Sequence, residues 1–391
     1  MQRSRDETQG TASNRTATTT RRGVLAAAGV GIATSLAGCI GGTSAGDPST
    51  GGTSDGTTTE RQLTDVVYRG RFKRVGLAPA VNDAAIAKGI WEELGLDVSY
   101  ETTSGGQAAA KSVASGKDQF GNGGITAVMQ LIEQGAPLKV IGQIAGPMGG
   151  VVSLEEAGIT EWTDLEGKTV GRYPFGATGP AAEAAMRRSG VDVETVQFRN
   201  VQPGSGLKLL LNGTVDAMIK YFPQMKDRLA YEGRSANVLK TRDVLHHLGI
   251  TLYTRQDVID EHPDRVDAFV KGWLNAFQFW ATNLDEAIEL YKPLMVGDPN
   301  MDLERKTVPE LYASQAPSKD IGLEHGKGWT PIDGVERTIE VFSETDLLEG
   351  GVTADEVFTN RFIEANEDLA IETAKSLYAA LENYDIGPDY I

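Results

Sequence analysis

Residues 95–121 read GLDVSYETTSGGQAAAKSVASGKDQFG, and this stretch decides the fold class. Residues 97–101 (DVSYE) alternate polar and apolar side chains, the period of a strand, whereas residues 107–114 (QAAAKSVA) carry helix formers. Gly116 ends the helix, and residues 118–121 turn apolar again as a second strand. A helix between two strands crosses over a parallel pair. Working outward, residues 73–78 (KRVGLA) read as a strand, 83–94 as a helix capped by Asn82, 126–134 as a helix and 138–144 as a strand. The rhythm restarts with strands at 168–172, 194–199 and 215–220 and helices at 180–188 and 207–211. Helix, Gly116, Asp118, strand in the first half is matched by helix, Gly213, Asp216, strand in the second. Residues 249–253 (GITLY) form a return strand, after which the chain is mostly helical to about Tyr378. The reading is therefore two α/β lobes with mainly parallel sheets.

The composition excludes several classes. A chain of 391 residues with 40% hydrophobic side chains carries more than one compact module, and 23% charged residues argue against a disordered or membrane-embedded body. There are 54 acidic against 37 basic residues, a formal charge of −17, which argues against a surface that tracks nucleic-acid phosphates. One cysteine permits neither an internal disulfide framework nor a multi-cysteine metal site.

The N-terminus reads as a targeting segment. Arg21 and Arg22 precede residues 23–38 (GVLAAAGVGIATSLAG), an apolar run too short to span a bilayer. Leu36-Ala37-Gly38-Cys39 closes it and resembles a lipobox, with Cys39 the lipidated first residue of the mature chain and the paired arginines an export signal of twin-arginine type. In residues 41–60, 15 of 20 residues are Gly, Ser or Thr, the composition of a flexible tether. The expectation is an extracytoplasmic, lipid-anchored protein. Removing residues 1–38 leaves a net charge of about −20, spread rather than clustered, and this acidic shell resembles that of secreted proteins from salt-loving archaea.

Short catalytic motifs fail on context. Gly167-Lys168-Thr169 ends like a phosphate loop, but Trp162 stands where that motif needs glycine. Gly121, Gly123 and Gly124 do not complete GxGxxG and read as tight turns. His246 and His247 are adjacent and point apart, His262 and His325 stand alone, and HExxH, CxxC and GxSxG are absent. No catalytic residue, metal site or cofactor is assigned.

Six phrases carry a family resemblance. They are AIAKGIW (85–91) followed by LGLDV (94–98), ASGKDQFG (114–121), QGAPLKV (134–140), DLEGKTVG (164–171) and GTVDA (213–217). In order and spacing they resemble the receptors for nitrate, sulfonates and taurine and the thiamine-pyrimidine synthase-like proteins, over residues 71–366 or so. The resemblance implies a type II periplasmic-binding-protein fold, with lobe one at 65–147 plus 248–391, lobe two at 150–245, and two crossovers as the hinge. It further implies a monomeric receptor that hands a small solute to an ABC permease and its ATPase. One departure is Pro79-Ala80-Val81-Asn82-Asp83, which has Asp where the thiamine-pyrimidine branch has His; the cysteine cluster of the synthases is also missing. Two other functions stay open: a thiamine-pyrimidine biosynthetic enzyme, which needs those missing groups, and a sensor domain, which needs a signalling module.

Ligands of such folds sit where strand C-ends meet helix N-termini, because free backbone N–H groups point there. That selects Asn82, Asp83, Gly105, Gly106, Gln107, Gly123, Gly124, Ile125 and Thr126, with Pro147 and Met148 at the crossover. Lobe two adds Tyr173, Phe175, Ala177, Thr178, Gly179, Tyr221, Phe222 and Pro223. The four rings either line the cleft or pack the lobe core. A pocket carboxylate at Asp83 disfavours a bare anion, so the sequence favours a thiamine-pyrimidine-like heterocycle over sulfonate, taurine, nitrate or bicarbonate.

Overall fold

The chain folds around two five-stranded sheets, seen in a computed structural model that describes residues 63–174, 178–202 and 204–384. The leader with Arg21, Arg22 and Cys39, the tether, and Phe175 and Ala177 lie outside the described residues. The strands are β1 (Thr64–Gly70), β2 (Leu96–Thr102), β3 (Phe120–Gly124), β4 (Leu138–Ala145), β5 (Gly149–Leu154), β6 (Thr169–Arg172), β7 (Gln197–Asn200), β8 (Ala217–Tyr221), β9 (Ala236–Lys240) and β10 (Ile250–Arg255). The first sheet runs β2-β1-β3-β10-β4 and the second β7-β6-β8-β5-β9. The chain thus leaves the first sheet after β4, builds the whole second sheet, and returns as β10. In each sheet one strand runs against the others: β10 is antiparallel to β3 and β4, and β5 to β8 and β9.

Several sequence expectations are corrected. The first strand is TDVVYRG at Thr64–Gly70, with Val66 and Tyr68 buried, and residues 73–78 form an irregular connection. The alternation of β1 gives it a buried face against the helices, which KRVGLA, broken by Gly76 at φ 75°, does not offer. The helix after it is Ala80–Ala87, so Asn82 lies inside the first turn and is not its cap. Gly121, Gly123 and Gly124 belong to β3 and are not turns. Tyr253 of the neighbouring β10 lies across Gly121 so closely that a Cβ there would enter its ring, which is why this strand is glycine-rich. Strands β5 and β9, unread in the sequence, complete the second sheet. The repeated motif holds in three dimensions: Gly116 and Gly213 both take left-handed conformations at helix ends (φ 78° and 68°). Asp118 then pairs with Arg69 of β1 at 2.7 Å, and Asp216 accepts the Thr169 amide of β6 at 2.7 Å.

The first sheet is covered by the helix Pro263–Thr282, which buries Val266, Phe269, Val270, Trp273, Phe277 and Trp280 along one side. Phe269 stacks on Phe120 of β3 at 3.7 Å and packs against Trp91, whose indole donates to the Phe269 carbonyl at 3.1 Å. Truncating Phe269 would open a void worth about 3–5 kcal/mol. In the second sheet adjacent residues Val151 and Val152 are both buried, one in each of two apolar clusters, because helices cover both faces. Among the described residues no helix is long and apolar enough to cross a membrane.

Both crossovers are pinned to the first sheet's helical layer. The Gly146 amide donates to Ser314 O at 2.8 Å, and the buried Lys327 ammonium donates to the carbonyls of Gln143 (3.1 Å), Ile144 and Gln315 (2.7 Å). In the second crossover Gly249 lies against Ala145 and Gly146, and its carbonyl accepts the Ile125 amide at 2.9 Å.

Candidate functional site

The parallel register of β1, β2, β3 and β4 sends all four C-ends to one edge of the first sheet. In the second sheet β6, β7 and β8 likewise end together, at Arg172, Asn200 and Tyr221. The two edges meet. Tyr221, at the end of β8, hydrogen-bonds Ser314 and lies in the field of Arg71, the residue after β1. The Asn300 amide donates to Tyr231 at 3.1 Å, and Arg228 approaches Glu304 at 3.8 Å, both across the same junction.

Arg71 is the centre of this junction. Its Nη1 donates to Asn122 Oδ1 at 2.9 Å and its backbone amide to the same oxygen at 3.3 Å. Asn122 in turn donates to the Tyr100 hydroxyl at 3.4 Å. Arg71 makes no ion pair among the described residues, and its buried Nε–H has no acceptor. Three phenols surround it: Tyr68 on β1, Tyr100 on β2 and Tyr253 on β10, with Tyr68 and Tyr100 centroids 5.0 Å apart. Burial pushes all three hydroxyls, and that of Tyr221, up from the ordinary phenol range, so they stay protonated donors. The hydroxyls of Tyr68 and Tyr253 and the Oδ1 of Asn82 are buried without hydrogen-bond partners. Three unused donors and one unused acceptor in a buried setting are costly unless something satisfies them.

The residues selected from the sequence divide into two groups. Asn82 reaches the cluster through Tyr100. Gly105 and Gly106 begin the helix Gly106–Ala114, where Gly106 touches the backbone of Gly123 and Gly124; Gln107 is exposed. Thr126 is buried in the first turn of the helix Ile125–Glu133, Pro147 is half-buried at the crossover, and Thr178 lies against Gly149 at the start of the helix Thr178–Arg188, with Gly179 next to it. Tyr173 is half-buried against the apolar cluster of Met148, Val152 and Phe222.

The second group departs from expectation. Asp83 is 3% exposed and holds Arg74 through two hydrogen bonds of 2.9 Å, so its charge is spent on that guanidinium. Burial raises its pKa while Arg74 opposes the rise. It is a structural ion pair, and the argument that it repels an anionic solute fails. Ile125, Met148 and Phe222 are core side chains, at 1%, 3% and 1% exposure, packed in apolar clusters. Pro223 is buried in the first turn of the helix Phe222–Tyr231. Tyr68, Arg71, Tyr100, Asn122, Tyr253 and Ser314 went unread. The available signal was YRGR at 68–71, which places a tyrosine and an arginine at a strand's end once the strand is set at Thr64–Gly70.

Residues 83–287, just over half of the chain, match the family model described as NMT1/THI5 like. The chain belongs to the NMT1/THI5-like family. It is 23% identical over 298 residues to a Bacillus subtilis (strain 168) protein named for binding aliphatic sulfonates, covering 74% of this chain and 86% of that one. It is 24% identical over 289 residues to the riboflavin-binding protein RibY of Chloroflexus aurantiacus, covering 71% and 80%. The periplasmic aliphatic sulphonate binding protein SsuA from Escherichia coli superposes with a TM-score of 0.56 at 15% identity, covering 75% of this chain and 91% of that structure. The fold is therefore the type II periplasmic-binding-protein fold, two α/β halves joined by two crossovers.

Proposed function

We propose that this chain is the extracytoplasmic solute-binding component of an ABC importer, anchored by a lipid on Cys39, that closes two lobes over a small organic anion. The carrying observation is Arg71: a guanidinium without a carboxylate partner among the described residues, ringed by protonated phenols at the junction of both sheets' C-edges. Arg71 Nε–H with the Tyr68 and Tyr253 hydroxyls suits an anionic head group, and Asn82 Oδ1 suits a donor elsewhere on the same solute. Sulfonates, taurine-like molecules included, fit that pattern. The lobes would be 65–147 plus 248–391 and 150–245, hinged at the crossovers, and a monomer would suffice to deliver the solute to the permease and its ATPase.

A flat heterocycle is the second reading, favoured by the ring cluster of Tyr68, Tyr100 and Tyr253 and by the riboflavin-binding relative. The test is a thermal-shift and calorimetric screen of alkyl sulfonates, taurine, nitrate, bicarbonate, riboflavin and a thiamine pyrimidine. A stabilising sulfonate supports the main reading. Binding of neutral heterocycles alone overturns the anion, and binding of none overturns both.

A further inference from the structure

Two carboxyl groups from opposite halves of the molecule meet beside the junction. Asp227 lies on the helix Phe222–Tyr231, directly after β8 of the second sheet. Glu310 lies on the helix Val308–Gln315, whose Val308, Leu311 and Tyr312 are buried in the first sheet's core. Glu310 is 8% exposed, the two side chains are in hydrogen-bonding contact, and the buried Oδ2 of Asp227 has no donor of its own. Two carboxylates bond to each other only when one carries a proton. Among the described residues the titratable groups around the pair are Lys226 and Arg228 on the helix of Asp227, Tyr221 at the end of β8, whose raised pKa keeps it neutral, and Glu304 and Lys306 on the helix Met301–Lys306. Arg228 is directed to Glu304 at 3.8 Å, while Lys226 and Lys306 act on Asp227 less strongly than burial and Glu310 do.

We propose that Asp227 and Glu310 form a proton-dependent latch, which takes one proton from solvent when the lobes close and returns it when they part. In the closed form the proton sits in an O–H···O bond between the two side chains; in the open form water solvates both as carboxylates. Desolvation first, then the Glu310 charge, raises Asp227 to about 8, against an ordinary carboxylate value near 4 when hydrated. The sign follows. Below the ordinary range both forms hold the proton and closure is insensitive to pH. Between that range and about 8, closing takes up a proton, so the closed-to-open ratio falls as pH rises, by up to tenfold per unit.

The test is small-angle X-ray scattering of the ligand-free protein at pH 5.5, 7 and 9 and constant ionic strength, so the result does not depend on which solute binds. Wild type is expected to expand measurably between pH 5.5 and 9. Asp227→Asn, whose amide still donates to Glu310, is expected to stay equally compact throughout, and Glu310→Gln to do the same if Asp227→Asn folds poorly. A wild-type radius of gyration unchanged across the range overturns the latch, as does the same expansion in Asp227→Asn and Glu310→Gln.

Discussion

Replacing Arg71 by Gln should abolish most of the affinity for an anionic solute while leaving the fold in place. Arg71 makes no ion pair among the described residues, and its one side-chain hydrogen bond goes to Asn122, so the folded chain loses little with it. The solute loses a charge-assisted hydrogen bond in a buried setting, worth about 1.5–3 kcal/mol. That converts to a dissociation constant raised by about 10- to 150-fold. Arg71→Lys keeps the charge but loses the planar guanidinium whose Nη1 donates to Asn122, so it should fall between the two. Isothermal titration at constant ionic strength, with a sulfonate that binds the wild type, reads the ratio directly. Unfolding curves of all three proteins should lie within about 1.5 kcal/mol of one another, the net worth of one hydrogen bond, because Asn122 Oδ1 keeps the backbone amide of residue 71 as a donor. Wild-type affinity in Arg71→Gln would exclude Arg71 as the anion's partner, since no other described cation is held at the centre of this tyrosine cluster.

The remaining predictions concern hinge, pH and export. Gly249→Ala places a Cβ against backbone atoms of Ala145 and Gly146 where the crossovers touch, so it should destabilise by about 1–3 kcal/mol in a denaturant titration; wild-type stability would show that the crossovers slide freely. His247 is half-buried beside Phe342 in the second crossover, with its Nε2 enclosed, and desolvation lowers its pKa to about 4. The folded state thus disfavours the proton that the unfolded chain binds near 6.5, so stability is full above that value and declines as pH falls toward 4, by about 3 kcal/mol for this group. His247→Gln should show a shallower loss over the same window, and an unchanged slope would contradict the assignment. Cys39→Ser should leave the protein unprocessed or released from the membrane fraction, and Lys-Lys at Arg21-Arg22 should block export; retention and processing as in wild type would count against the anchor and the route.

Local periodicity marked most strands and helices, because DVSYE, QAAAKSVA and the Gly116 and Gly213 helix ends each act over a few residues, but it misplaced the first strand and left β5 and β9 unread. The family followed from phrases of the same local kind. Tertiary structure decided where β10 and β5 run against their neighbours, and with them which residues face the junction. Asp83 looked like a pocket carboxylate until Arg74, nine positions earlier, folded back onto it. Beyond its place in YRGR at 68–71, Arg71 gave no sign of its role, since Asn122, Tyr100, Tyr253 and Tyr221 reach it from four different strands. A side chain's charge is printed in the sequence, but whether that charge is spent on a neighbour or left over for a solute depends on distances that only the folded chain sets.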